Sequence, residues 1–149
     1  MTKNIFNYYE YNSKLAAGGQ PTEEQLKAIS DEGFNAIINL SPVSTRNYLP
    51  TETELAEKFG LDLIHFPVDC SNLKDRHYRV FSSILKQFED KKVFVHCGGN
   101  IKSSNLVHMY NVLEKGVNEA DSLKELKLIQ EPEEKWFSYF KEMRMQGLS

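Results

Sequence analysis

Residues 93 to 105 read VFVHCGGNIKSSN, and the choice of fold rests on them. Val93, Phe94 and Val95 lead into His96 and Cys97. Gly98, Gly99 and Asn100 follow, then Ile101, Lys102, Ser103 and Ser104, then an apolar stretch. A short apolar run that ends in glycines and is followed by a helical pattern predicts a buried strand feeding a helix. The loop between them admits two readings. In the first, Cys97 is a nucleophile at the base of a phosphate cradle. A thiol titrates near 8.5 and lower at a helix N-terminus or beside a cation. The amides of Gly98, Gly99, Asn100, Ile101, Lys102 and Ser103 would form an anion-binding nest, which the two glycines permit. Lys102 would add a positive charge, and Ser103 could donate a hydrogen bond to the thiolate. In the second reading, Cys97 is a small buried hydrophobe, Gly98-Gly99 is a turn and Ser103 is a helix N-cap.

Working outward, elements of two kinds alternate. Leu15 to Gly18 is a short strand. Thr22 caps a helix with Gln25 three residues on, the pattern of a capping box, and Gly33 stops it. Phe34 to Leu40 reads as a buried strand, and 41–50 as a loop bounded by prolines. Thr51 caps a second helix ending at Gly60, and Leu61 to Val68 is the next strand. An amphipathic helix over about 76–89 carries Val80, Phe81, Ile84, Leu85 and Phe88 on one side. Lys92 to His96 is a strand, and Ser103 to Lys115 a helix ended by Gly116. Two further helices run over 118–129 and 132–145, the last with Trp136, Phe137 and Phe140. Continuously apolar strands separated by helices predict a single α/β domain over 1–149, with a mostly parallel sheet and helices on both faces. Functional groups then gather at the carboxyl ends of the strands, in loops 41–50, 69–75 and 97–102.

Composition narrows the function. The chain has 149 residues, 40 % of them hydrophobic and 26 % charged, with a net charge of −3. There is no basic stripe of the kind nucleic acid requires, so no nucleic-acid partner is expected. No apolar run approaches a membrane span, and the first residues lack an apolar signal core. No membrane partner is expected, and the expected location is cytoplasmic. Cys70 and Cys97 are the two cysteines. They fit no zinc spacing, and no metal or organic cofactor is implied.

The His-Cys stretch resembles the signature of the cysteine-dependent protein tyrosine and dual-specificity phosphatases: His-Cys, five residues, Arg, then Ser or Thr. The segment GGQPTEEQLKAISDEGFNAIINL, Gly18 to Leu40, resembles a branch of small, mostly bacterial phosphatase-like proteins in that superfamily. In that branch a Gly-Gln-Pro segment opens the first helix. The resemblance spans roughly residues 15 to 130. It departs from the pattern at the arginine. Counting five residues after Cys97 puts Ser103 in the Arg place and Ser104 in the Ser/Thr place. A loop one residue shorter puts Lys102 there, followed by Ser103, and the branch often has that spacing. Lysine is a point charge where arginine is a planar fork, so the resemblance implies weak turnover or phosphate binding without turnover. Rhodanese-type sulfurtransferases use a similarly short Cys loop, which makes a persulfide on Cys97 an alternative chemistry.

The resemblance also implies a general acid on a separate loop. Asp69, 28 residues before Cys97, is the first choice and Asp75 the second. The other reading of Asp69 is a residue capping its own turn. His96 would orient Cys97 and the loop without acting as a base. Arg46 could meet an anionic substrate from above, as could Lys74 and Arg76, or all three are solvated surface cations. Cys70 could approach Cys97, or is a bystander. His65 and His108 read as structural. The expected partner is a phosphorylated substrate or inorganic phosphate.

Overall fold

A computed structural model describes residues 2–147. Its elements are β1 (Tyr9–Asn12), β2 (Leu15–Gly18), α1 (Glu23–Asp31), β3 (Ala36–Asn39), α2 (Glu52–Lys58), β4 (Asp62–His65), α3 (Asp75–Gln87), β5 (Val93–His96), α4 (Lys102–Leu113), α5 (Glu119–Ile129) and α6 (Glu134–Gly147). The strands form one sheet in the order β1-β2-β5-β3-β4, and every pairing except β1 with β2 is parallel.

Period-two alternation sends successive side chains to opposite faces, and each face has its own core. Leu15, Ala17, Ile38, Val93 and Val95 pack beneath α3, α4 and α6. Ala16, Ile37 and Phe94 pack with Leu26 and Ile29 of α1, Ala56 of α2 and Ile5. The α/β class with a mostly parallel sheet covered on both sides is therefore the observed architecture. No helix among the described residues is long and apolar enough to cross a membrane.

Local chemistry sets the element ends. The capping box at α1 is complete: the Gln25 amide donates to Thr22 Oγ1 at 3.2 Å, and the Thr22 amide donates to Gln25 Oε1 at 3.0 Å. Gly33 follows with a φ of 92°. Thr51 holds the N-cap position of α2 without a side-chain cap bond, so its hydroxyl does not do what the sequence suggested. β4 stops at His65 rather than Val68, although the amides of Phe66 and Val68 still donate to Asn39 O and Leu40 O at 2.9 Å. On α3 the buried face is His77, Tyr78, Phe81 and Leu85, and Val80 is exposed. The sequence reading rotated that face by including Val80. β1 was not anticipated. Its YEYN pattern is a four-residue antiparallel edge strand whose Tyr9 hydroxyl donates to Glu125 at 2.7 Å.

The register lines up the carboxyl ends. Gly18 pairs with His96, Asn39 with His96, and Asn39 with His65. The segments that leave these residues meet at one end of the sheet. There the Gly-Gln segment touches the His-Cys loop: Gly19 bridges to Gly99, and the Gln20 amide donates to the Gly98 carbonyl at 3.1 Å. A Cβ on Gly19 would lie 2.9 Å from the Gly98 oxygen, whereas a Cβ on Gly99 would meet only Phe6, at 3.8 Å. Gly19→Ala should therefore cost about 1–3 kcal/mol by overpacking. Gly99→Ala should stay within about 0.5 kcal/mol of the unaltered protein. Urea unfolding of the two variants checks this, and equal stabilities would contradict it.

Candidate active site

β5 delivers His96 and Cys97, both buried, to the end of the sheet. The chain then turns through 98–101 into α4. Asn100 makes the turn possible with a φ of 66°, a conformation asparagine tolerates better than most residues.

The carbonyls of this loop are all engaged from outside it. Gly98 O accepts from Gln20 N and, at 3.0 Å, from Asn47 Nδ2. Gly99 O accepts from Asn7 Nδ2 at 3.2 Å. Asn100 O accepts from Ser104 Oγ at 2.5 Å. Ile101 O accepts from Gln130 Nε2 at 2.8 Å and Asn105 Nδ2 at 2.9 Å. A peptide whose C=O faces outward turns its N–H the other way. Among the described residues, the amides of Gly98, Gly99, Ile101, Lys102 and Ser103 donate to no protein acceptor. Several of these are the N–H groups that a helix start leaves without intrahelical partners. They lie at the N-terminus of α4, where the macrodipole is positive, and Cys97 lies at the start of the loop.

The hydroxyl of Ser103 lies 3.3 Å from Cys97 Sγ and 2.6 Å from Asn100 Oδ1. The Asn100 amide is oriented by its Nδ2, which donates to Asn7 O at 2.8 Å, so Oδ1 can only accept. The one hydroxyl proton of Ser103 therefore goes to Asn100, and the Cys97 thiol donates to Ser103. The expected bond from Ser103 to a thiolate requires that hydroxyl to rotate. Ser104 turns inward too, bonded to the loop carbonyls and to Gln130.

Lys102 does not reach over the cradle. Its Nζ donates to Val68 O at 2.6 Å, tying the start of α4 to the loop that carries Asp69. Asp69 is exposed and caps the short 3-10 turn Cys70–Asn72, accepting from Ser71 N at 2.9 Å and Ser71 Oγ at 2.7 Å. Those bonds, with the charge of Lys102, hold its carboxyl below the usual range. Asp75 accepts from Gln146 at 2.9 Å, at the start of α3.

Asp69, Asn72, Arg76, His77, Pro42 and Ser44 line a cleft of about 390 Å³ between two of the three loops. Arg46 is exposed in the first of these loops. Its neighbours Thr45 and Asn47 stand against Gly98, where a Cβ would lie 3.0 Å from Thr45 Cγ2 and 3.1 Å from Asn47 Oδ1. Cys70 and Cys97 are both free thiols, and both belong to the cluster under α3 and α4. His108 bonds Ser122 at 2.7 Å and His65 bonds Ser41 O at 2.6 Å. Among the described residues, no group of three or more His, Cys, Asp or Glu side chains could hold a metal ion.

Sequence reading missed Glu52. This carboxylate is 2 % exposed, accepts from His96 Nε2 at 2.7 Å and from Gln20 Nε2 at 2.6 Å, and lies 3.5 Å from Asn39 Nδ2. In TETEL nothing separates it from Glu54, which is exposed. Only the fold, which places the first turn of α2 under His96, makes the difference. Burial pushes the Glu52 carboxyl up, but the His96 bond and charge, the Gln20 bond and the charge of His65 outweigh it, and the net shift is downward.

Known proteins are similar to this chain in sequence and fold. The family model for DSP-PTPase phosphatase fused to NAD+ kinase matches residues 3–139. A beta-lactamase hydrolase-like protein of Agrobacterium fabrum (strain C58) is 26% identical over 113 residues. That match covers 74% of this chain and 26% of the relative, so the chain spans about a quarter of that protein's length. Among solved structures, a candidate phosphatase (DUF442) from Shewanella putrefaciens CN-32 superposes with a TM-score of 0.85 at 26% identity, covering 97% of this chain and 95% of that one. Tk-PTP in its active form gives 0.79 at 18% identity, covering 94% and 97%.

The lowered Glu52 carboxyl has a measurable consequence. A depressed folded value gives stability that is complete above the ordinary value of 4.5 and is lost as pH falls through the folded value. Glu52→Gln should be less stable at neutral pH by roughly 1.5–3 kcal/mol, and the gap should narrow on acidification. Urea unfolding across that range tests this, and a gap independent of pH would contradict it.

Proposed function

Because this chain belongs to the family of DSP-PTPase phosphatases fused to NAD+ kinase, we propose that it hydrolyses phosphate monoesters through a cysteinyl-phosphate intermediate. One observation supports the reading above the rest: every loop carbonyl from 98 to 101 is bonded to a group outside the loop, while the amides of Gly98, Gly99, Ile101, Lys102 and Ser103, beside Cys97 at a helix N-terminus, donate to no protein acceptor among the described residues.

In the first step Cys97 Sγ, as thiolate, forms a bond to phosphorus while the ester P–O bond breaks. The loop amides take the non-bridging oxygens, where charge is spread in the transition state. Asp69 gives its proton to the departing oxygen. A phosphate dianion bound beside it raises its proton affinity, which opposes the bonds from Ser71. In the second step water attacks phosphorus, Asp69 takes the water proton, the S–P bond breaks and inorganic phosphate leaves. His96 orients the loop. Lys102 holds the Asp69 loop against the cradle through Val68, and its remaining N–H donors are free to turn to an oxyanion. The cleft beside Asp69, with Arg76 and His77, receives the leaving group, and Arg46 is an exposed cation of the neighbouring 41–50 loop.

A second reading is favoured by the engagement of Lys102 with Val68: a module that binds phosphate or a phosphoprotein without turnover. A sulfurtransferase with a Cys97 persulfide is the third.

Aryl phosphate hydrolysis that disappears in Cys97→Ser supports the hydrolase. Asp69→Asn should then lower kcat by about a hundredfold or more and remove the alkaline limb of the pH profile. Phosphate binding with no Cys97-dependent turnover would replace the hydrolase with the binding module. A persulfide on Cys97 after thiosulfate treatment, seen by mass spectrometry, would replace it with the sulfurtransferase.

A further inference from the structure

Building on the phosphatase reading, we propose that Glu52 is the positioning residue of this site: it keeps His96 doubly protonated, so that one ring N–H fixes the Cys97 carbonyl and the ring charge supports the Cys97 thiolate.

His96 is completely buried. Its Nε2 lies 2.7 Å from Glu52 Oε2 and its Nδ1 lies 3.3 Å from the Cys97 carbonyl oxygen. Its ring stacks on Phe94 at 5.8 Å. A carbonyl has no proton to give, and neither has a carboxylate. A neutral imidazole carries one N–H and one lone pair, so it would set a lone pair against one of those oxygens. The imidazolium satisfies both. A buried cation needs a counter-charge close by, and Glu52 is the one placed to supply it.

The rest of the surroundings suit the ion pair. The second oxygen of Glu52 accepts from Gln20 Nε2 at 2.6 Å, with Asn39 Nδ2 at 3.5 Å. Every neighbour of the carboxylate is thus a donor. The further ionisable group whose charge acts on the carboxylate is His65 on β4, and it also favours the charged form; Cys97 follows His96 in the chain and its side chain packs in the core on the other face of the sheet. The inference also explains the Gly-Gln segment. Gly19 admits the Gly98 carbonyl, and the next side chain orients the carboxylate beneath the loop.

Two effects reach the nucleophile. Fixing the Cys97 carbonyl sets the peptide plane that aims the Gly98 amide inward. A cation one residue from Sγ, in a region of low dielectric, favours the thiolate.

The test is ¹⁵N NMR of the histidine ring nitrogens at neutral pH, with alkylation of Cys97 by iodoacetamide followed in a Cys70→Ser background. In the unaltered protein His96 should carry a proton on each ring nitrogen. Glu52→Gln should leave one, on Nδ1, because the introduced amide can donate to Nε2, and loss of the ring charge should slow alkylation about tenfold. Glu52→Asp, which keeps the charge, should recover part of both signals. Aryl phosphate turnover is read on the same samples. Absence of turnover with a doubly protonated His96 removes the hydrolase reading and supports the role of Glu52. A single ring proton on His96 in the unaltered protein overturns the proposal whether or not Glu52→Gln folds. So does a Glu52→Gln protein whose His96 protons and alkylation rate are unchanged.

Discussion

The outward anchoring of four consecutive carbonyls, Gly98 to Ile101, is the constraint on which the site depends. A loop of this length has one backbone donor and one acceptor per residue, and both need partners or water. Here the acceptors are met by groups from distant parts of the chain: Asn7, Gln20, Asn47 and Gln130, besides Ser104 and Asn105 nearby. Amides of the same loop, beside Cys97 at the start of α4, donate to no protein acceptor among the described residues. On the proposed reading, that division gives the loop its selectivity for an anion.

This constraint assigns work to segments far from the chemistry. The hairpin of β1 and β2 follows Asn7 and leads into Gly19 and Gln20, which brace the loop from one side. The 41–50 loop presses Thr45 and Asn47 against Gly98 from another. The end of α5 brings Gln130 to Ile101 and Ser104. Beneath lies a buried polar layer of Asn39 and His96 from the sheet and Glu52 from α2. Buried polar groups of this kind cost stability unless every member is satisfied. Here Glu52 bonds His96 and Gln20, and Asn39 Oδ1 accepts from Ser41 N, which ties the layer together.

Much of this was legible from the residues. The buried strands showed as continuous apolar runs, the α1 capping box was readable from Thr22 and Gln25, and the Cys97 loop stood between a strand and a helix. What stayed hidden was whatever depends on long-range geometry. β1 is four residues long, with Glu10 between its tyrosines, too short for its period to register. Val80 fits the apolar period of α3, yet the face is set by where α4 and α6 lie. Glu52 and Glu54 are chemically the same and differ only in which one the fold turns under His96. Lys102 suggests a phosphate ligand by position, and its bond to Val68 comes from how two loops meet.

The most direct measurement is the protection of Cys97 by oxyanions. Iodoacetamide alkylation would be followed by mass spectrometry in a Cys70→Ser background, with and without phosphate or vanadate. Saturable slowing of Cys97 modification by both anions, with vanadate the stronger, is the expected result for an anion cradle around this thiol. An alkylation rate that neither anion changes, in a protein that remains folded, would contradict it and return Cys97 to the role of a buried core residue.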